Sequence, residues 1–228
     1  MSGVVIEETI RRHITNAGYL SYVALLAIVS LGASQFQKPA AAWPSLIALL
    51  AMITGSAVIG PEFSSGTLQL ILVKPITRAT YLLSRVAGVV AVVWAATLVA
   101  FFCEAVGRLI RGMLPWRELT SALVNTALDV ILIVSLLALL GSITRAYFNV
   151  AIYIGTQIGL SVIIGVLSMA RRFPEVVKAI NVIDRNLFPE APPSLNRDWM
   201  LLVLTNAAVA LVLACLAFRR REVPYGAD

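Results

Sequence analysis

Charged residues are scarce in this chain: only 13% of its 228 residues are Asp, Glu, Lys or Arg, whereas 59% are hydrophobic. The mean hydropathy is accordingly high, at +0.88. Soluble domains are about half apolar and about one quarter charged. The composition therefore excludes an ordinary soluble domain and predicts an integral membrane protein.

Histidine and cysteine are scarce as well, with one histidine and two cysteines. His13 precedes the first apolar run, so neither a Ser-His pair nor a histidine metal site can form within the membrane. The apolar runs also hold no close pair of carboxylates for acid-base chemistry, which disfavours a membrane-embedded enzyme. Cys103 and Cys215 fall near opposite ends of their runs, too far apart for the ~7 Å Cα separation that a disulfide needs.

Six apolar runs are long enough to cross a bilayer, whose core of about 30 Å needs roughly 20 helical residues. The runs lack the alternation of barrel strands, and no connection between them is large enough for a separate globular domain. We therefore predict an all-α integral membrane protein with one domain over residues 1–228. Its six transmembrane helices should lie at about 17–34, 41–60, 80–107, 121–143, 147–170 and 198–218.

Residues 1–16 predict an amphipathic helix at the membrane interface. Ile6, Ile10 and Ile14 recur every fourth residue, with acidic and basic side chains on the other faces. A polar leader without fixed structure is the alternative. A secretory signal peptide also stays open, because Gly32-Ala33-Ser34 follows a short apolar stretch, although the acidic residues of the leader argue against it.

Basic residues near the ends of the runs are almost evenly divided between the two membrane faces, so the positive-inside rule decides weakly. The first and last runs are more informative. Two basic residues, Arg11 and Arg12, precede the first run, and only Lys38 follows it. Three basic residues, at 219–221, follow the last run, and only Arg197 precedes it. We expect both termini to be cytoplasmic. The net charge of +6 is scattered over these flanks rather than gathered in one patch, which argues against nucleic-acid binding.

Residues 61–79, between the second and third runs, carry signals of two successive short helices. Ser64 or Ser65 can cap a helix that begins at Gly66. Pro75 ends this helix, and Thr77 can cap the next one. The spacing of the leucine and isoleucine residues within the first helix gives it one apolar face, suited to a groove on another protein or to lipid. A plain connecting hairpin with a solvated Glu62 is the alternative.

This loop resembles that of ABC-2 type permeases, the transmembrane subunits of ABC exporters, and the six-run layout is similar to theirs. The resemblance rests on Glu62, on Ser64-Ser65-Gly66-Thr67-Leu68, and on Lys74-Pro75-Ile76-Thr77-Arg78 with Tyr81-Leu82-Leu83. It implies an elbow helix in residues 1–16, a cytoplasmic coupling helix between spans two and three, and short extracellular hairpin helices between spans five and six, in residues 171–197.

The resemblance also implies partners and a location. Two permease copies, as a homodimer or heterodimer, would work with two copies of a cytoplasmic ABC ATPase in the cytoplasmic (inner) membrane of a prokaryote. The chain has no Gly-x-x-x-x-Gly-Lys-Ser/Thr loop. ATP and Mg²⁺ are therefore expected on the ATPase, with no cofactor and no catalytic residue in this chain. The implied coupling residues are Glu62, Ser64, Ser65, Gly66, Thr67, Leu68, Ile71, Leu72, Pro75 and Arg78.

In such permeases the translocation path is lined mostly by spans two and five. The resemblance therefore implies a path formed by polar residues of those two spans, namely Thr54, Ser56, Thr156, Gln157 and Ser161. The Gly-x-x-x-Gly spacing of Gly155 and Gly159 is equally well explained by close helix packing within the monomer. These residues carry no chemistry that selects one cargo.

Asp129 is the one carboxylate well inside an apolar run, where an unpaired charge is costly, so it is a candidate functional residue. Because Asn125 lies one turn earlier, a structural hydrogen bond to another helix, or a shallow depth from the outer surface, explains it equally well. Glu104 and Arg108, four residues apart, should form an ion pair. Two alternatives to an exporter stay open: a membrane anchor for an ATPase without a transport path, and a secondary transporter, for which Asp129 alone is thin support.

Overall fold

The computed structural model describes residues 1–35, 43–58, 77–112, 115–144, 148–170 and 174–220. Helices account for 88% of these residues and strands for none, in agreement with the predicted all-α fold. We number the helices of this described part in chain order: α1 (Gly3–Ile14), α2 (Ala17–Ala33), α3 (Trp43–Ser56), α4 (Arg78–Ile110), α5 (Trp116–Ile143), α6 (Phe148–Ala170), α7 (Pro174–Leu187) and α8 (Arg197–Arg220).

Four of these helices, α4, α5, α6 and α8, are long and apolar enough to cross a membrane. The pair α1 and α2 meets the same test as one unit, bent by 69° at the break between them, whereas α3 is apolar but shorter, with 14 residues. The described helices thus support the transmembrane, helical character of the chain, with four or five spans by length and composition alone.

Helix α4 forms the centre of the molecule and packs against α1, α2, α3 and α5. In its most apolar stretch 56% of the residues are buried, compared with 6% in α6. Small and β-branched side chains, among them Val89, Val93, Ala96 and Ala100, let the neighbouring helices come close. Helix α5 packs along α8 and α3 on the other side of this core.

One end of the bundle, which we call the α1 end, brings together α1, the start of α4, the end of α3 and the start of α6. The Ser2 amide donates a hydrogen bond to Ser84 Oγ (2.7 Å). Asn149 Nδ2 donates to the backbone carbonyl of Ser56 (3.2 Å). These contacts tie α1 to the start of α4, and the end of α3 to the start of α6, at this end.

The opposite end, which we call the α7 end, holds the end of α4 and the starts of α3, α5 and α8. Trp43 Nε1 donates to Glu104 Oε2 (2.7 Å), joining α3 to α4. Asn125 Nδ2 donates to the carbonyl of Pro192 (2.7 Å), which fixes the segment between α7 and α8 to α5. The helices α2 to α6 therefore run alternately from one end to the other, as does α8.

Capping residues explain where two helices begin. Thr77 caps α4, as predicted, with its hydroxyl oxygen accepting from the Thr80 amide (3.2 Å). Asn16 caps α2 in the same way by accepting from the Gly18 amide (2.8 Å), and this cap coincides with the bend between α1 and α2. In the region predicted to hold several extracellular hairpin helices, 171–197, the described residues form a single helix before α8.

Candidate functional site

Most of the predicted coupling residues lie outside the described part of the chain. This applies to Glu62, Ser64, Ser65, Gly66, Thr67, Leu68, Ile71, Leu72 and Pro75. Arg78 is described and is the first residue of α4, directly after the Thr77 cap. In the sequence, the loop is therefore followed directly by the central helix of the bundle.

The N-terminal helix α1 is docked on α4 a few residues after this loop. Thr9 is fully buried against α4, and Arg85 Nη1 donates to its hydroxyl oxygen (3.1 Å). Gly88 makes the close approach possible, because a Cβ atom at this position would lie 2.7 Å from Thr9 Cβ. Together with the hydrogen bond between Ser2 and Ser84, these contacts make α1 a fixed part of the bundle.

The contact of α1 with α4 is one that the sequence did not indicate. The isoleucine pattern placed Ile6, Ile10 and Ile14 toward the acyl boundary, whereas the one fully buried residue of the helix, Thr9, is held against α4. The threonine hydroxyl is satisfied by the Val5 carbonyl at 2.7 Å as well as by Arg85, so it is buried without an unsatisfied donor. Helical periodicity in hydrophobicity missed this contact because it is polar.

A cavity of about 810 Å³ lies beside this docking site, between the α1–α2 bend, α3 and the start of α6. Its lining is mainly apolar, with polar side chains from the α1–α2 segment (His13, Asn16, Tyr19 and Tyr22) and from α3 (Thr54 and Ser56). Both tyrosine hydroxyls are held by the protein: Tyr19 donates to the Val92 carbonyl (2.9 Å) and Tyr22 to that of Leu46 (2.7 Å). The cavity wall is thus ordered by hydrogen bonds to two neighbouring helices.

His13 is the titratable group of this wall. Burial lowers the pKa of its imidazole below the ordinary value of 6.5, and the nearby cations Arg85 and Arg12 lower it further. A hydrogen bond between Nδ1 and the Thr9 carbonyl (2.8 Å) acts in the opposite direction by favouring a protonated ring nitrogen. The neutral imidazole therefore carries its proton on Nδ1 and directs Nε2 away from this backbone contact.

The structure does not bring the five predicted path residues to one surface. Thr54 and Ser56 are largely buried and line the cavity, and each hydroxyl is bound to a carbonyl of its own helix. Thr156 and Ser161 are exposed on α6, and neither they nor Gln157 line that cavity. Their assignment to a path stays a prediction.

The Gly-x-x-x-Gly motif of α6 makes no close contact with the rest of the described chain. Among the described residues, no atom lies within 4 Å of a Cβ built on Gly155 or on Gly159. The interpretation as an intramolecular packing motif is therefore wrong for this part of the chain. Because neither glycine has a side chain, they leave a strip on the surface of α6 that no described residue covers.

Sequence reasoning missed Asn149, which is almost completely buried at the start of α6. Its Nδ2 donates to the Ser56 carbonyl and also lies 3.5 Å from the Leu137 carbonyl. Its Oδ1 accepts a hydrogen bond from the Val150 amide (2.8 Å). It therefore anchors α6 to α3 and α5 at the α1 end. An asparagine just inside an apolar run is the signal that could have revealed it, since such a residue needs buried partners.

Residues 31–223 match a family model described as "Protein of unknown function (DUF2705)". The chain belongs to this family. The matched region spans α3 to α8 and the loop before α4, whereas α1 and most of α2 precede it. Among the curated proteins, none matched this chain.

Asp129 lies half-buried on α5, close enough to Tyr153 of α6 for an electrostatic interaction. Tyr153 also packs edge-on against Phe188, with ring centroids 5.3 Å apart. Asn125, one turn before Asp129, donates to the carbonyl of Pro192. Asp129 therefore sits where α5, α6 and the segment after α7 meet.

The predicted ion pair of Glu104 and Arg108 is confirmed. Arg108 Nε donates to Glu104 Oε1 (2.8 Å), and both side chains are buried. Trp43 donates to the other carboxylate oxygen, so each oxygen accepts a hydrogen bond.

Both cysteines are free thiols. Within the described ranges, no group of three or more His, Cys, Asp or Glu side chains is arranged to hold a metal ion.

Proposed function

We propose that this chain is the transmembrane permease subunit of an ABC transporter, an exporter of the ABC-2 type. In this proposal a dimer of permeases forms the translocation path, and the loop over residues 61–79 couples each permease to a separate cytoplasmic ATPase. The ATPase, in two copies, binds ATP and Mg²⁺. The main support is the loop sequence from Glu62 to Arg78 together with its position directly before α4.

A second observation that supports the proposal is the docking of α1 on the first turns of α4. A coupling segment must pass a movement of the ATPase to the membrane helices as one rigid displacement. The buried contact between Thr9 and Gly88, with the hydrogen bonds from Arg85 and Ser2, connects α4 to α1 within three turns of the loop. A push on the loop would therefore move α4, α1 and the attached α2 together.

The helix arrangement also supports a six-span permease. Helix α3 lies within the apolar run 41–60, which is long enough to cross a bilayer, although only residues 43–58 of it are described. With α2 to α6 and α8 each crossing once, both termini lie at the α1 end. Arg11 and Arg12 and the last-turn residues Arg219 and Arg220 lie at this end, which supports a cytoplasmic location for it.

A second permease copy is expected to cover α6. This helix has only 6% of its most apolar stretch buried, and the Gly155 and Gly159 strip leaves room for another helix backbone. The neighbouring polar residues Thr156 and Ser161 would then face the interface between the copies, as a path at the dimer interface requires. The partner copy is identical in a homodimer or a relative in a heterodimer.

The test is co-purification of the chain with the ABC ATPase encoded beside its gene, with ATP turnover as a second measurement. We expect the wild-type chain to hold the ATPase and the double variant Leu68→Asp, Leu72→Asp to lose it, because two carboxylates cannot be buried in an apolar groove. Leu195→Asp is the matched control: Leu195 is exposed in the segment between α7 and α8 and should tolerate the charge.

Three results would contradict the proposal. If the double variant holds the ATPase as well as the wild type does, the loop is not the docking element. If the ATPase binds through the loop but reconstituted vesicles show no ATP-dependent movement of any amphiphile, drug, peptide or glycan tested, the membrane-anchor alternative gains support. If no ATPase binds at all, a secondary transporter becomes the better interpretation.

A further inference from the structure

The carboxyl group of Asp129 lies deep in the membrane. Asp129 is midway along the 28 residues of α5, so about 20 Å of helix extends on each side of it. A bilayer core is about 30 Å thick, which places this side chain near its middle. A carboxylate there costs free energy unless a cation or water offsets its charge. Among the described residues, no cation forms an ion pair with Asp129.

Asn125, one turn before Asp129, brings a second hydrogen-bond acceptor to the same place. Its side chain is 4% exposed, and Nδ2 donates to the Pro192 carbonyl. No donor in the described part of the chain reaches Oδ1. Residues four apart share one helix face, and helical side chains lean toward the N-terminus, so Asp129 leans over Asn125. The carboxyl group and the unpaired amide oxygen are therefore neighbours.

A proton on Asp129 resolves both problems at once. An ionised carboxylate only accepts hydrogen bonds, whereas a neutral carboxyl group has one O–H donor. In the ionised form, Asp129 and Asn125 Oδ1 are two neighbouring acceptors. In the neutral form, the carboxyl O–H can donate to Asn125 Oδ1, which removes the buried charge and the unpaired acceptor together. A metal ion such as Ca²⁺ or Mg²⁺ needs about six oxygen ligands or more, and the side chains here supply fewer.

The other titratable groups around α5 leave this role to the proton. Tyr153 of α6 is close enough to Asp129 for an electrostatic interaction. On α4, Glu104 and Arg108 pair with each other. The described part of α3 has no titratable residue, and the charged residues of α8 lie in its first and last turns. The remaining charged groups at this junction line a pocket, namely Asp184, Arg185, Glu190 and Asp198.

This pocket, of about 500 Å³, gives a proton a way to the junction from the α7 end. Glu190 and Asp198 are exposed, so the pocket is accessible to water, and its volume holds several water molecules at about 30 Å³ each. Phe188 lines the pocket and also packs edge-on against Tyr153. The two rings therefore lie between the pocket and the neighbourhood of Asp129.

We propose that Asp129 is a reversible proton-binding site within the membrane, with the neutral carboxyl O–H donating to Asn125 Oδ1. When the O–H bond breaks, the proton passes to water in the pocket and leaves toward the α7 end, and a carboxylate stays behind. Asn125 also holds Pro192, so the proton affects the place where α5, α6 and the segment after α7 meet. This site goes beyond the proposed permease function and does not depend on it.

Infrared spectroscopy tests the protonation state. The full chain is placed at neutral pH in vesicles of ether-linked phosphatidylcholine, a lipid without a carbonyl group of its own. A neutral carboxyl group then shows a C=O stretch apart from the bands of ionised carboxylates and of the backbone. We expect this band in the wild type and its loss in Asp129→Asn. Glu175→Gln, the same exchange of carboxylate for amide at an exposed position of α7, is the matched control and should retain the band.

Three outcomes of this measurement would overturn the proposal. The first is a wild-type spectrum without the band, since Asp129 would then be ionised. The second is a band that persists in Asp129→Asn, because another group would carry the proton. The third is loss of the wild-type band when sodium chloride is added at constant pH, because a metal ion would then occupy the site.

A second variant tests the hydrogen-bond partner. Asn125→Leu removes the acceptor at similar volume, so the Asp129 band should shift to higher frequency as the carboxyl group loses its hydrogen bond. Thr126→Val is the control: this buried neighbour lies on a different face of α5, and the band should keep its position. No shift in Asn125→Leu, or the same shift in both variants, would refute the assignment of Asn125.

Hydrogen–deuterium exchange tests reversibility and the route. In D₂O the band shifts as O–H becomes O–D, and the rate of this shift measures access to Asp129. We expect exchange in the folded wild type, and several-fold faster exchange in Phe188→Ala. Leu195→Ala, at an exposed position of the same segment, should exchange at the wild-type rate. A wild-type band that never shifts would overturn reversible binding, and equal rates in Phe188→Ala and the wild type would overturn the route.

These tests use neither an ATPase nor ATP, so their failure is distinguishable from failure of the proposed permease function. Size-exclusion profiles show whether each variant folds. Asn125→Leu and Phe188→Ala keep the Asp129 carboxyl group, so they still test the proposal if Asp129→Asn does not fold.

Discussion

Individual buried polar side chains hold the helices of this protein in register. The Glu104 carboxylate illustrates this: it is fully buried and accepts from Trp43 on one oxygen and from Arg108 on the other. In a bundle of apolar helices that pack in lipid without a strong hydrophobic driving force, such hydrogen bonds define which helix lies beside which. Trp43 thereby determines where α3 begins against the end of α4.

Replacement of Trp43 by phenylalanine should destabilise the protein by about 1–3 kcal/mol, because the buried Glu104 Oε2 loses this donor. Unfolding in detergent by heat, followed by size-exclusion chromatography, measures the loss. Trp94→Phe is the control: Trp94 is 40% exposed and donates to a backbone carbonyl, so its replacement should cost less than about 1 kcal/mol. Equal losses in the two variants would contradict a special role of the Glu104 cluster.

His13 gives a prediction that depends on pH. Its pKa is lowered in the folded protein by burial and by Arg85 and Arg12. The unfolded chain therefore takes up the proton first as the pH falls through 6.5, so stability is fully present above this value and decreases below it. NMR titration is direct because the chain has a single histidine. A measured pKa of 6.5 or higher, or an unchanged pH dependence of stability in His13→Gln, would refute this assignment.

At the scale of helices, the periodicity of hydrophobic residues did not predict that α1 packs against α4. The sequence predicted an amphipathic N-terminal helix and its approximate ends, and it predicted the Thr77 cap of α4. Helix α1 can pack against α4 because Gly88 has no side chain. In the sequence, Gly88 is only one small residue within an apolar run. A close approach of this kind depends on shape and is visible only in three dimensions.

Gly88→Ala should therefore loosen α1. The added Cβ would lie 2.7 Å from Thr9 Cβ and 3.4 Å from the Ile6 carbonyl, and we expect a cost of about 1–3 kcal/mol together with faster proteolysis of residues 1–16. The control is Gly165→Ala on α6, where no described atom lies within 4 Å of the new Cβ. This variant should be neutral or stabilised by up to about 1 kcal/mol, since alanine favours helix. Similar behaviour of both variants would argue against tight docking of α1.

At the scale of the whole molecule, the helices run alternately from one end of the bundle to the other, so α1 and α7 lie at opposite ends. The two ends of the bundle carry different features: the docked helix, the cavity and the loop that leads into α4 at one end, and the amphipathic α7 at the other. Helix α7 contains no buried residue, and its apolar side chains Val176, Ile183 and Leu187 are partly exposed, as suits a helix lying at a membrane interface. In the proposed permease this end is extracellular.

Cysteine labelling tests this arrangement. In a background without Cys103 and Cys215, a membrane-impermeant maleimide added to intact cells should label Lys178→Cys on α7. Glu8→Cys on α1 should react only after the cells are permeabilised. Both positions are exposed, so a difference in labelling reports the membrane side and not local burial. Labelling of both from outside would contradict the six-span topology and the cytoplasmic N terminus.

The sequence by itself determined the class of this protein and the approximate course of its helices. Long apolar runs with few charges have one stable form in a bilayer, the helix, because every backbone polar group must be satisfied within the segment. Caps such as Thr77 and the four-residue spacing of Glu104 and Arg108 are local, and so they were also predicted correctly.

The tertiary structure decided what depends on contacts between distant residues. The burial of Thr9 against Gly88, the anchoring of α6 by Asn149, the open strip at Gly155 and the cavity beside the α1–α2 bend all join segments that are far apart in the chain. No local pattern specifies them. Nearly all positions in such runs are apolar, so periodicity cannot show which face of a helix meets a neighbour and which meets lipid; only packing in three dimensions distinguishes the two.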